Sequence, residues 1–162
     1  MILSDDLYPK KNAFTFIEIL IVVILLGVVA GLSIPNLGPT YENFQLSETT
    51  KNLTYLMRYA QSRAILKGEE FQLEFDTDKT SYWLTHFVDS GDGPVKERVS
   101  GRFGRRFAVP DGVHIVSGRE DVRFYPDGRM DKVRIYLDNG RRDFTVSTQE
   151  QLGHVHVFDF RL

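Results

Sequence analysis

The chain of 162 residues has no cysteine, which excludes disulfides, thiolate metal sites and cysteine nucleophiles and leaves the redox compartment open. It also lacks a dominant charge, since 20 basic and 22 acidic side chains leave a formal net charge of -2, so no global basic field draws nucleic acid. No internal repeat and no low-complexity segment is visible. No nucleophile elbow, glycine-rich phosphate loop or zinc-protease helix occurs, so no catalytic residue is expected. Charge is missing altogether between Glu18 and Glu42, and that gap organises the rest of the chain.

From Phe14 to Ile34 there are 21 residues with a single formal charge, Glu18. As a helix they would span roughly 31 Å, the thickness of a bilayer's hydrocarbon core. A membrane helix is therefore expected over residues 14–35. Glu18 sits one turn inside its start, where an unpaired carboxylate costs about 2.5 to 3.5 kcal/mol or more and needs a partner. Lys10 and Lys11 precede the apolar run, which by the positive-inside rule keeps residues 1–13 in the cytoplasm and sends residues 36–162 outward. A secretory signal peptide would carry its small cleavage residue after the apolar region, whereas here Ala13 lies before it.

A basic leader, a small residue, Phe14-Thr15-Phe16-Ile17-Glu18, a long aliphatic helix and Pro35 together resemble the N-terminus of type IV pilins and type II secretion pseudopilins. The resemblance implies cleavage by a prepilin peptidase between Ala13 and Phe14, N-methylation of Phe14, and assembly into a helical filament. It also implies that Glu18 pairs with the new Phe14 amine of an adjoining subunit. Most members have glycine where this chain has Ala13.

Beyond the apolar run, Pro35, Gly38 and Pro39 fall within a few residues of one another, each removing or weakening a helical hydrogen bond, and a hinge is expected there. Over about residues 41–67, Leu46, Leu53, Met57, Ala60 and Ala64, supported by Leu56, recur at three- and four-residue steps and predict an amphipathic helix stopped by Gly68. The period then changes to two. Phe71–Phe75 and Tyr82–Val88 predict a hairpin around Asp76–Lys79, and further strands are expected at 113–116, 122–125, 132–137, 143–147 and 154–160. Glycine-bearing turns at Pro110–Gly112, Pro126–Gly128 and Asp138–Gly140 separate them. The stretch from Lys96 to Phe107 is basic and carries no assignable period.

The fold class expected is α+β and pilin-like: a long N-terminal helix, half membrane and half amphipathic, packed on a C-terminal antiparallel β domain. Within the superfamily the chain resembles the GspH/FimT group. Ala60-Gln61-Ser62-Arg63-Ala64-Ile65 leading into the Phe71 strand is similar to that group's helix end, whose usual Ala-Arg step is here Ala60-Gln61. Phe124-Tyr125-Pro126-Asp127-Gly128 resembles its Phe-x-x-Asp-Gly turn.

Other residue groupings have plainer readings. His154 and His156 share a strand face at a spacing metal sites use, but no third ligand is evident, and a half-exposed strand face accounts for them. Asp89 and Asp92 lack the ordered pattern of a calcium loop. Lys96, Arg98, Arg102, Arg105 and Arg106 interleave with Phe103 and Phe107, a composition that grips phosphates and stacks bases in some proteins and forms a solvated or protein-contacting patch in most. Metal and cofactor are not expected.

Two functions are weighed. One is a minor pseudopilin of a type II secretion system, a structural subunit at or near the tip of a periplasmic pseudopilus, held in the bacterial inner membrane by a single pass. Its expected partners are other minor and major pilin-like subunits, the prepilin peptidase, the inner-membrane assembly platform and the membrane. The alternative is a FimT-like minor pilin for pilus assembly or DNA uptake. DNA-binding relatives of that kind resemble one another in a Gly-Arg-x-Arg motif. The matching positions here are Gly153-His154-Val155-His156, where imidazoles replace permanent cations, so nucleic acid is not an expected partner.

Overall fold

The structure, a computed structural model, describes residues 14–32, 37–149 and 153–161. The chain divides into two units, Met1–Asn36 and Leu37–Leu162.

The first unit contains helix α1, Phe16–Leu32. Thr15 caps it: the backbone N–H of Glu18 donates to Thr15 Oγ1 at 3.3 Å, and the N–H of Ile19 reaches the Thr15 carbonyl at 3.2 Å. Thr15-x-x-Glu18 is thus laid out as a capping box, with the carboxylate at the positive end of the helix dipole. Apart from Glu18, the exposed side chains of α1 from Ile17 to Val29 are aliphatic on every side. Among the described residues no helix is long and apolar enough to cross a membrane. Helix α1 has 17 residues, about 26 Å at the usual helical rise, against the longer apolar stretch of the sequence. The difference lies at the ends, because Phe14 and Thr15 lead into the cap and residues 33–36 lie outside the described residues.

The second unit begins with α2, Leu37–Lys67, four residues ahead of the expected start. Gly38 and Pro39 stand in its first turn, where a missing proline N–H breaks no helical bond because those donors have no intrahelical acceptor. Its end is as the pattern predicts: Gly68 takes φ 69° and donates its N–H to the Ala64 carbonyl at 3.0 Å. Leu46, Leu53, Leu56, Met57, Ala60 and Ala64 are fully or almost fully buried. Thr49, Thr50 and Thr54 share the buried face, and each hydroxyl donates to the carbonyl four residues earlier at 2.8 to 2.9 Å, so no buried hydroxyl is left unsatisfied there.

Two antiparallel sheets complete the unit. In the first, β1 (Phe71–Phe75) lies between β2 (Ser81–Asp89) and β6 (Asp121–Phe124). The far half of β2 pairs with β3 (Pro94–Arg98), and its start pairs with the two-residue β4 (Phe107–Ala108). The stretch without an assignable period therefore contains two edge strands joined through a short 3-10 turn at Gly101–Phe103. The second sheet runs β5-β7-β8-β9, from His114–Ser117 through Arg134–Asp138 and Asp143–Ser147 to His156–Phe158. Strand β9 is shorter than the span expected from residues 154–160, and just ahead of it the Val155 carbonyl accepts from the guanidinium of Arg58 on α2, at 3.0 Å.

One apolar core joins these elements. Leu53, Met57 and Ala60 of α2 meet Phe71, Leu73, Leu84, Val122 and Phe124 of the first sheet and Ile135, Leu137 and Val146 of the second. Trp83, Thr85 and Phe87 alternate with the core-facing Tyr82, Leu84 and His86 and so lie on the opposite face of β2.

Candidate assembly surfaces

Three groups of residues emerge as candidates, and they lie in different parts of the chain. The first is the start of α1. Phe14 and Phe16 are 73% and 84% exposed, next to the capped turn that carries Glu18. Ala13 lies outside the described residues, as does Pro35 of the expected hinge. The sequence signal for this turn is Thr15 followed three residues later by Glu18, just ahead of an apolar run.

The second group fastens the C-terminal segment to α2. The Gln61 side-chain amide donates to the Gly128 carbonyl at 3.0 Å and to the Gly153 carbonyl at 2.9 Å, one proton for each acceptor. Gly128 closes the Phe-x-x-Asp-Gly turn with φ 85° and an N–H bond to the Tyr125 carbonyl at 3.0 Å. The backbone N–H and then the guanidinium of Arg129 hold the Asp127 carboxyl of that turn below its ordinary pKa. The residue that departs from the usual Ala-Arg step is therefore the one that ties the turn to the last strand. Gln61→Ala is expected to destabilise the unit by about 1 to 3 kcal/mol, because two carbonyls lose their donor. Gln61→Glu, which aims an acceptor at two acceptors, should cost at least as much. Chemical unfolding checks both, and a neutral Gln61→Glu would rule the bridge out.

His154 and His156 follow directly, with ring centroids 6.2 Å apart, His154 exposed and His156 half-buried. Among the described residues no group of three or more His, Asp or Glu is placed to hold a metal ion. Asp89 serves its own turn, accepting the Gly91 N–H at 3.1 Å.

The third group is the basic stretch, which the fold wraps around aromatic rings. Phe103 stacks on Tyr59 of α2, with centroids 4.0 Å apart, and its ring also lies 4.5 Å from the Arg102 guanidinium. Phe107 stacks on Tyr82 at 5.5 Å and has Arg105 at 4.9 Å. Trp83 has Arg106 at 4.4 Å and Arg98 at 5.8 Å. Gly104 holds this loop closed, since a Cβ there would lie 1.4 Å from the Val99 carbonyl oxygen. Lys96 lies 5.8 Å from the Phe87 ring and is in addition paired with Glu74 at 2.7 Å.

Comparison with known proteins follows the same division of the chain. Residues 8–34 match the model of the prokaryotic N-terminal methylation motif, and residues 49–151 match that of the type II transport protein GspH. No curated protein matches the chain. Among solved structures it is similar to the minor pseudopilin EpsH from the type 2 secretion system of Vibrio cholerae, at a TM-score of 0.54 and 13% identity over 68% of this chain and 95% of that one. A second structure of EpsH gives 0.52 and 12% over 70% and 94%. The type IV minor pilin FimU of Pseudomonas aeruginosa gives 0.49 and 16% over 76% and 92%. The EpsH likenesses are likenesses of fold, and the fold is pilin-like. The GspH match spans most of α2 and every strand but β9, so the chain belongs to the family of the type II transport protein GspH.

Proposed function

We propose that this chain is a minor pseudopilin of a type II secretion system, a structural subunit at or near the tip of a periplasmic pseudopilus. The observation that carries the reading is the presence, on one chain, of the N-terminal methylation motif at 8–34 and the GspH match at 49–151. The apolar stretch from Phe14 to Ile34 anchors it in the inner membrane with residues 1–13 in the cytoplasm. Prepilin peptidase removes those residues, Phe14 is methylated, and the subunit joins other pilin-like subunits through the assembly platform. Pro35, Gly38 and Pro39 act as the hinge that lets the α2 unit reorient as the subunit leaves the membrane. The chain binds neighbours and performs no bond chemistry. The alternative, a FimT-like minor pilin, is disfavoured as a DNA binder by the imidazoles at His154 and His156.

The test has two readouts. In cells containing the peptidase, intact mass of the membrane-bound protein should show a chain beginning at Phe14, and Ala13→Gly should speed the cleavage. A stable full-length species defeats the proposal. Deleting the gene should stop export of secreted proteins and leave pili in place, whereas loss of pili with normal export would favour the alternative.

A further inference from the structure

We propose that the groove between α2 and the loop Arg102–Phe107 is a docking site for an acidic, amphipathic segment of a neighbouring filament subunit. This deepens the proposed function by naming the chemistry of one partner surface.

Charge is the first support. Arg98, Arg102, Arg105 and Arg106 are all exposed, and among the described residues none of them has a carboxylate within ion-pair distance. Several other surface cations are paired: Lys96 with Glu74, Arg119 with Asp131, Arg129 with Asp127, and Arg142 with Asp159. The acid that lines the groove, Glu48, is paired with Lys51 at 3.3 Å. Arg102, Arg105 and Arg106, the three of these that line the groove, leave a positive edge that an acidic partner neutralises, through bidentate contacts if carboxylates meet guanidiniums.

The floor is the second support. Two adjoining depressions of about 390 and 270 Å³ share Asn52, Arg105 and Phe107. Along α2 they are lined by Tyr41, Phe44 and Tyr55, which are 61%, 60% and 56% exposed. An apolar floor with a cationic rim fits a helix that presents aliphatic side chains flanked by carboxylates.

The rings of the basic loop and of β2 are poor stacking platforms for single-stranded nucleic acid. Base stacking needs a free aromatic face. Phe103 has Tyr59 and Arg102 against its ring, Phe107 has Tyr82 and Arg105, and Trp83 has the guanidiniums of Arg98 and Arg106. The rings serve to orient the arginines, whose N–H edges are left for an anion.

The test uses the full chain in detergent micelles at about 150 mM salt, where weak phosphate contacts are screened. The probe is a fluorescent helical peptide with leucines at heptad spacing and flanking glutamates, compared with its all-glutamine counterpart and with oligothymidylate. The glutamate peptide should bind, with the glutamine peptide at least about tenfold weaker. The double variant Arg102→Glu/Arg105→Glu should weaken the glutamate peptide by a similar factor while its circular dichroism melt stays unchanged. Equal binding of the two peptides, or no binding of either, overturns the proposal, and tighter binding of oligothymidylate replaces it with a nucleic-acid surface. Leader removal, measured separately on the same chain, reports on the proposed function, so the failure of one is distinguishable from the failure of the other.

Discussion

Phe124→Ala is expected to lower the stability of the α2 and two-sheet unit by about 3 to 5 kcal/mol, the usual cost of deleting a buried ring. Phe124 is 0% exposed, lies opposite Phe71 across the β1–β6 ladder, and ends the strand that opens the Phe-x-x-Asp-Gly turn. Its loss empties space between α2 and the first sheet, where side chains already packed in single rotamers cannot collapse to fill it. A loss of that size is a large part of the about 5 to 15 kcal/mol that holds a domain folded. Phe124→Leu, which keeps most of the volume, should cost under about 1.5 kcal/mol. The guanidinium midpoint at unchanged slope measures both. A loss below about 1 kcal/mol for Phe124→Ala would mean that the core is not closed around this ring.

Glu18→Ala should leave that unit folded, because the core of the unit is built from its own side chains, and should leave insertion and leader removal intact. Its effect is expected in assembly, with recovery beside other pilin-like subunits falling at least about tenfold. A carboxylate in lipid either finds a cation or takes up a proton. Cleavage after Ala13 creates one candidate cation, the amine of Phe14 on an adjoining subunit at the same depth. Glu18→Gln is the sharper variant, since it keeps size and hydrogen bonding at the third position of the Thr15-capped turn and removes only the charge. It should behave like the alanine variant. Co-purification with the assembled complex is the measurement, and recovery of both variants at the wild-type level would sink the ion pair.

Local pattern was enough for most elements and for the motif that places the chain in its family. The α2 stripe of Leu46, Leu53, Met57, Ala60 and Ala64 is buried as its spacing predicts, and Gly68 ends the helix with positive φ. The Phe71–Phe75 strand has its predicted bounds, and β2 extends only one residue at each end beyond its own. Each of these follows from neighbours within a few positions, where a helical or pleated period decides which side chains turn inward. The early start of α2 was hidden because proline reads as a breaker anywhere but the first turn, and only the position of the turn says which applies.

Pairings between distant segments were not legible. Strand β6 lies beside β1 across more than forty residues of chain, and β3 and β4 divide the outer edge of β2 between them. The Lys96–Phe107 stretch has no period because it spans two short edge strands and a tight turn, and edge positions are exposed whatever their parity. Gln61 gave no sign of its bridge, since a glutamine on a helix surface is ordinary until two carbonyls from residues 128 and 153 are brought to it. The sequence alone therefore determined the aliphatic helix with its single carboxylate, the end of α2 at Gly68 and the alternation of the strands, all set by short-range sterics and burial. Tertiary structure alone decided which strands are neighbours, and why four arginines face solvent over aromatic rings without a carboxylate, because those depend on contacts that chain connectivity does not encode.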